Sequence, residues 1–355
     1  MLALVERWKP SNARALRRRA VALCFLVCFL GLAASFAVCQ ATPATGSKAG
    51  APNADQTAYQ IEELPLRPIA LSGSGWIAGA TADQHAATWQ KKSGLHRVSL
   101  PADLNFSEAT GINSQGEAVG TASNADSSRR VAFFLRENKV TLLPGAQARA
   151  NNINSASQIT GQAIVPGAKV AGPVLWKDGA LVDLKICCAG FGRAINTHGS
   201  IAGDTYDDKG RYHAFVWDAA HGVRIIPLPD ANFSSALGLN DHGDILLKAS
   251  PGGLFLYSDD KLQALEIPRA TPRAMNNNGL IVGSFGVGPE EQRAFVWDKI
   301  HGLQDLNALI PANSEWTLEV ASGVNDQGEI IGWGDRSGEG NVGFMLRPHK
   351  PAATK

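Results

Sequence analysis

The strongest constraint on the fold is a short pattern that recurs along the chain. Each copy begins with small and apolar residues that end at an asparagine. A tight turn follows, usually ending in glycine, and then a further apolar run. An Asn side chain can accept a hydrogen bond from its own backbone two residues on, and Gly adopts positive φ without strain. Each copy therefore predicts a tight turn between two strands. The copies lie 36 to 49 residues apart, at Asn113, Asn154, Asn196, Asn240, Asn276 and Asn325, with Ser72 as a seventh, degenerate copy.

Two more apolar runs complete each copy. The first is rich in aromatic and β-branched residues, which favour buried strands, and the second has two apolar residues separated by two others. Each copy therefore predicts four strands, which is the number in one β-propeller blade. Trp217 and Trp297 close third strands at the same repeat position, and we expect both to be buried between blades. The third strands are predicted at residues 85–89, 131–135, 173–176, 213–217, 254–257, 293–297 and 343–346.

The last copy runs out of chain before its fourth strand. The segment Tyr59 to Leu66 has the missing pattern in Ile61 and Leu64, although it precedes the first copy. An N-terminal strand that completes the last blade is one way in which a ring of blades closes. The sequence thus predicts an all-β fold, a seven-bladed β-propeller of four-stranded blades over residues 58–348, closed by this strand and followed by a tail at 349–355. An open solenoid would need polar capping units, and none is visible.

The first 57 residues have a different character. Residues 20–38 are almost wholly apolar behind three arginines, so residues 1–40 are interpreted as a signal peptide cut between residues 37 and 41, or as an uncleaved signal anchor. A lipoprotein signal at Cys39 is less favoured, because Val38 stands where such signals need a small residue. Residues 41–57 are predicted to be a flexible linker. Each alternative predicts a periplasmic or extracellular propeller, with membrane contact only through the N-terminal segment.

Charge and cysteine content narrow the possible functions. The whole chain has a net charge of +1 and residues 1–40 carry +5, which leaves about −4 on the rest and no run of Lys or Arg. We therefore expect no nucleic-acid partner. Cys187 and Cys188 are the only cysteines after residue 40, and the pair is either two small loop residues or a vicinal disulfide. No metal-ligand spacing, cofactor motif or catalytic signature appears, so we predict no metal, no cofactor and a monomer.

The triplet His213-Ala214-Phe215, with its preceding Asn196 step, resembles the HAF repeat of probable extracellular bacterial proteins. The resemblance covers residues 58–348. Only this copy has the full triplet; Val131 and Arg293 stand where other copies depart from it. The resemblance implies a secreted repeat protein with a β-propeller-like fold and implies no particular activity.

The candidate site residues follow from the predicted blades. Arg193 and Arg273 lie three residues before an Asn, where they could line the channel and clamp a carboxylate or phosphate; the alternative is that they pair with loop acids. Asp207, Asp208 and Trp316 are predicted in loops of one face. We expect a binding or interaction module for a protein or carbohydrate ligand. The alternatives are a hydrolase or lyase, acting on a polysaccharide or small molecule with carboxylates at the channel mouth, and a membrane-tethered structural component of the envelope.

Overall fold

The computed structural model describes residues 58–186, 188–228, 231–286 and 291–349. These residues form seven antiparallel sheets of four strands each and one short 3-10 turn at Leu306–Ala308; strands that follow one another in the chain are neighbours in six of the sheets, and the seventh also contains the N-terminal strand. The predicted N-terminal segment, the linker, Cys187 and the C-terminal tail beyond His349 lie outside the described residues.

The blades follow one another along the chain, and in each the first-named strand is innermost and the last-named strand outermost. Blade 1 contains β2 (Arg67–Leu71), β3 (Ile77–Ala80), β4 (Ala86–Gln90) and β5 (Gly94–Arg97), and blade 2 contains β6 (Phe106–Ile112), β7 (Ala118–Ser123), β8 (Arg130–Arg136) and β9 (Lys139–Leu142). Blade 3 contains β10 (Ala146–Ile153), β11 (Ile159–Ile164), β12 (Gly172–Lys177) and β13 (Ala180–Asp183), and blade 4 contains β14 (Gly190–Ile195), β15 (Ile201–Tyr206), β16 (Tyr212–Asp218) and β17 (Gly222–Ile225). Blade 5 contains β18 (Phe233–Leu239), β19 (Ile245–Ser250), β20 (Gly253–Ser258) and β21 (Lys261–Leu265), and blade 6 contains β22 (Ala270–Met275), β23 (Ile281–Gly286), β24 (Gln292–Asp298) and β25 (Gly302–Asp305). Blade 7 contains β26 (Trp316–Val324), β27 (Ile330–Arg336), β28 (Val342–Pro348) and the N-terminal strand β1 (Tyr59–Leu64).

Strand β1 closes the ring as the sequence predicts. It pairs antiparallel with β28, so that Ile61 lies opposite Leu346 and Leu64 lies opposite Gly343. Leu64 is buried, and Ile61 packs against the core of blade 7. Hydrogen-bonded closure covers the edge of β28, which an open array would leave exposed. The predicted seven-bladed propeller with four-stranded blades is confirmed.

A glycine and a phenylalanine form the centre of several blades. Phe215 on β16 is fully buried, and a Cβ added to Gly203 on the neighbouring strand would come within 2.7 Å of its ring. The glycine therefore leaves the space that the aromatic ring fills. Trp217, two residues further on, packs between blades 3 and 4 as predicted, but it is half-buried, as is Trp297. The two tryptophans pack against the core as predicted but are less buried than predicted, because the inner phenylalanine takes the fully enclosed position.

Five buried asparagines of the repeat each join their blade to the next. Oδ1 of Asn154 accepts hydrogen bonds from the backbone N–H groups of Ala156 and Gln158, both at 3.0 Å. Its Nδ2 donates to the backbone carbonyl of Asn196 in the following blade, at 2.9 Å. The predicted turn role is confirmed, and the link between blades is an additional role. Equivalent links run from Asn113, Asn196, Asn276 and Asn325, and the last of these reaches Ser72 across the closure.

Candidate ligand-binding site at the channel mouth

A β-bulge in every innermost strand sets the lining of the central channel. The register with the second strand slips by one residue at the same repeat position in all seven blades, and the extra residue stands three positions before the Asn or its Ser equivalent. Bulges bend a strand and re-aim a side chain. All seven of these residues line one cavity in the channel, which has a volume of about 750 Å³; they are Ile69, Thr110, Asn151, Arg193, Leu237, Arg273 and Ser322.

A second cavity of about 950 Å³ adjoins the first towards blade 2, at the end of the channel where the innermost strands begin. The two cavities share a wall that contains Arg67, Glu108 and Arg149. Five arginines line the two cavities together, and we call them the arginine site: Arg67, Arg130, Arg149, Arg193 and Arg273. Glu108 is the one carboxylate among the described residues of both linings.

Arg67 and Arg273 converge on Trp333 of blade 7. Their guanidinium carbons lie 4.5 Å and 5.4 Å from the centroid of the indole ring, within the range of a cation–π contact. Arg273 is accessible from the channel, yet desolvation lowers its pKa, and the charge of Arg67 lowers it further. Two like charges are thus held together at one aromatic ring, where an anion would relieve their repulsion.

Arg130 and Arg149 form a second pair in the neighbouring cavity. Burial lowers the pKa of Arg149, and the charge of Arg130 adds to this effect. Nε of Arg149 is buried and has no hydrogen-bond acceptor among the described residues. A buried donor without an acceptor costs about 1 to 3 kcal/mol. A ligand that supplies an acceptor to Arg149 would remove this cost.

Arg193 differs from these four arginines because it has a carboxylate partner. Its Nε lies 2.5 Å from Oδ2 of Asp204, which is fully buried on β15 and also accepts a hydrogen bond from Ser235. Its guanidinium also lies 5.0 Å from the ring of Phe191. Arg193 is therefore neutralised locally, as the alternative interpretation of the sequence allowed, but its partner lies on a strand rather than in a loop.

The other candidate residues do not line the cavities. Asp207 organises the turn between β15 and β16: its Oδ1 accepts from the backbone of Lys209 and Arg211, and its Oδ2 accepts from the side chain of Arg211 and contacts His213. These hydrogen bonds, that from His213 foremost, hold the pKa of Asp207 well below its usual value. Asp208 is exposed in the same turn.

Trp316 also lies apart from the cavities. It was expected in a loop, but it begins β26, where it is half-buried and packs edge-on against Phe344 with ring centroids 6.0 Å apart. The prediction of a loop position is wrong because the innermost strand of blade 7 is longer than its counterparts, at nine residues. Its aromatic ring belongs to the core of the blade.

Sequence reasoning found two of the five arginines and missed three. A two-residue strand period would have found Arg67 and Arg149, since each stands two positions before a bulged residue, Ile69 and Asn151 respectively. Arg130, by contrast, starts a third strand, and its approach to Arg149 depends on how blades 2 and 3 pack. No sequence pattern within a single repeat could predict that approach.

No protein-family model matches the chain, and no curated protein has a significantly similar sequence. Solved β-propellers are similar in structure. The β-propeller domain of the Trilobed protease from Pyrococcus furiosus has a TM-score of 0.55 at 9% identity, covering 83% of this chain and 100% of that chain. The WD40 β-propeller domain of Doa1 has a TM-score of 0.54 at 14% identity, covering 83% and 97%. YCF48, in a structure bound to D1 peptide, has a TM-score of 0.50 at 12% identity, covering 86% and 100%. At these identities the likeness establishes the propeller fold alone.

The part of the chain that the structure describes contains neither a metal-binding cluster nor a membrane-spanning helix. Within residues 58–186, 188–228, 231–286 and 291–349, no three His, Cys, Asp or Glu side chains are grouped in a way that could hold a metal ion. In the same residues, no helix is long and apolar enough to span a membrane. The arginine site is therefore the feature on which a functional proposal can be built.

Proposed function

We propose that this protein is an exported binding module, located in the periplasm or outside the cell, whose channel mouth takes an anionic ligand. The basic, apolar N-terminal segment and the resemblance to the HAF repeat support an exported location. The binding role is supported by the arginine site, in which positive charge from separate blades gathers in a concave cavity of ligand size.

One observation carries the proposal. Most arginines in the described part of the chain form ion pairs with carboxylates. Those without a carboxylate partner among the described residues are Arg67, Arg130, Arg149, Arg269 and Arg273, and all but Arg269 line the two cavities. Unpaired guanidinium groups in a cleft focus an attractive field on anions and offer forked donors to carboxylate or phosphate oxygens.

The described lining favours binding over a mechanism with two carboxylates. A hydrolase of that kind needs two carboxyl groups held on either side of the scissile bond. Glu108 has no such partner among the described lining residues, and Asp207 is occupied by its own turn.

The test is a calorimetric titration of the exported protein with pyrophosphate. The variant Arg67→Gln/Arg149→Gln/Arg273→Gln should bind at least about tenfold more weakly, because each charge-assisted hydrogen bond is worth more than about 1.4 kcal/mol. The matched control is Arg97→Gln/Arg224→Gln/Arg293→Gln, which removes three arginines that are paired with carboxylates outside the cavities. Equal affinity of the two triple variants would refute the proposal.

A further inference from the structure

Two hydroxyl groups and one carboxylate in the cavity lining can act towards a ligand only as hydrogen-bond acceptors. The Thr110 hydroxyl donates to the backbone carbonyl of Ala150 at 2.7 Å, and the Ser322 hydroxyl donates to that of Pro68 at 2.8 Å. Each hydroxyl uses its single proton in a hydrogen bond to a backbone carbonyl, so towards a ligand it can act only as an acceptor. The ionised carboxylate of Glu108 likewise only accepts hydrogen bonds. This part of the lining therefore calls for a ligand that donates, as hydroxyl groups do.

An exposed aromatic ring stands beside these acceptors. Phe106 begins β6 and lines the same cavity as Arg130, Arg149 and Glu108, with 41% of its surface exposed. Because the ring is exposed and lines the cavity, it is available for contact with a bound ligand. The electron-rich face of the ring suits the C–H face of a sugar, which is weakly positive.

The arginine pairs supply two positions for negative charge. Arg67 and Arg273 meet at Trp333 on the blade 7 side of the channel, whereas Arg130 and Arg149 meet between blades 2 and 3. A ligand with one anionic group would satisfy one pair and leave the other without a counter-charge. A ligand with anionic groups separated by hydroxyl-bearing units would satisfy both pairs and the acceptors between them.

Building on the proposed anion-binding function, we infer that the ligand is an acidic oligosaccharide with at least two carboxylates, such as a uronic-acid oligomer. One carboxylate lies at Arg67 and Arg273, and another lies at Arg130 and Arg149. The hydroxyl groups between them donate to Glu108 and the channel hydroxyls, and a pyranose ring packs on Phe106.

The inference is tested by titrating the exported protein with trigalacturonate, galacturonate and the methyl ester of trigalacturonate, with pyrophosphate in parallel. Trigalacturonate should bind at least about tenfold more tightly than the monomer or the neutral ester, because only it places charge at both pairs. The variants Arg67→Gln/Arg273→Gln and Arg130→Gln/Arg149→Gln should each remove most of that advantage.

Phe106→Ala separates sugar recognition from general anion binding. It should weaken trigalacturonate binding about three- to tenfold, which corresponds to a lost aromatic contact of about 0.7 to 1.4 kcal/mol, and leave pyrophosphate binding unchanged. Ile300→Ala removes an apolar side chain that is 87% exposed and lies outside both cavities, and it should change neither affinity.

The outcomes distinguish this inference from the proposed function. If pyrophosphate binding depends on the arginines, but trigalacturonate binds no more tightly than its ester or the monomer, the inference is wrong and the anion-binding function stands. If the binding of pyrophosphate and the binding of trigalacturonate are both independent of the arginines, the inference and the proposed anion-binding function are both wrong. A Phe106→Ala protein that binds trigalacturonate as wild type does would also overturn the proposed pose.

Discussion

Arg193 and Arg273 occupy equivalent bulge positions in blades 4 and 6, yet their surroundings differ. Asp204 lies on the second strand of blade 4 and neutralises Arg193, whereas Ser284 occupies the same position in blade 6. The repeat register gave both arginines the same position in their blades, and both line the channel cavity. It could not predict which one was paired, because the pairing depends on a single departure from the repeat on a neighbouring strand.

Arg149 should lower the stability of the protein in the absence of ligand. Its Nε is a buried donor without an acceptor among the described residues, and Arg130 adds like-charge repulsion. Arg149→Met keeps a long apolar stem and removes both costs, so we expect the free energy of unfolding to rise by about 1 kcal/mol in chemical denaturation. A fall in stability would show that Arg149 contributes a structural contact instead.

The control for this substitution is Arg136→Met. Arg136 donates to the buried Glu117, at 2.5 Å from its Nε, and to Ser157 in the next blade. Its loss leaves a buried carboxylate without its ion-pair partner, so the same substitution should here lower the free energy of unfolding. The changes in the free energy of unfolding should therefore have opposite signs for Arg149→Met and Arg136→Met, because only Arg136 has a carboxylate partner.

At the scale of single elements, the repeat predicted most strands to within a residue or two. The third strands β4, β8, β12, β16, β20, β24 and β28 coincide with the predicted runs, because continuous apolar sequence bounded by turn residues has few other interpretations. The bulges were not predicted, since a one-residue slip leaves no mark in composition. They nevertheless decide which side chains face the channel.

An asparagine that links two blades should contribute more to the free energy of unfolding than one that only forms a turn. Asn154→Ala removes two partly buried turn hydrogen bonds and the buried link to Asn196, and should lower the free energy of unfolding by about 2 to 3 kcal/mol. Asn154→Ser should cost less, because Ser72 in the degenerate copy still accepts from the backbone of Trp76 at 3.0 Å. Asn105→Ala, at an exposed position, serves as the control in the same denaturation series. Equal stabilities of all three variants would contradict the proposed link.

At the scale of the whole molecule, closure brings residues that are distant in the chain to one site. Arg67 starts blade 1, and it meets Trp333 of blade 7 only because the two ends of the propeller are adjacent. Ser322 and Asn325 of blade 7 likewise donate to Pro68 and Ser72 of blade 1. The repeat count predicted this closure, but the side chains that meet across it could be identified only from the structure.

Closure predicts a strong effect from a small deletion. Removing residues 58–66 takes away β1 with the buried Leu64 and Leu66, and should lower the melting temperature by about 10 °C or more, since several kcal/mol of apolar burial are lost. Removing residues 41–57, which contain little apolar sequence, should leave it nearly unchanged. Equal melting temperatures for the two truncations would mean that β1 does not seal the ring.

The proposed function requires that the closed propeller gathers unpaired arginines from separate blades into one anion site. An anomalous difference map from crystals of the protein soaked in selenate tests this, because it locates bound anions without any assumption about the natural ligand. The strongest peaks should lie beside Arg67 and Arg273 and beside Arg130 and Arg149, where guanidinium groups have no carboxylate partner among the described residues. Selenate bound elsewhere on the surface, with no peak in either cavity, would contradict the claim.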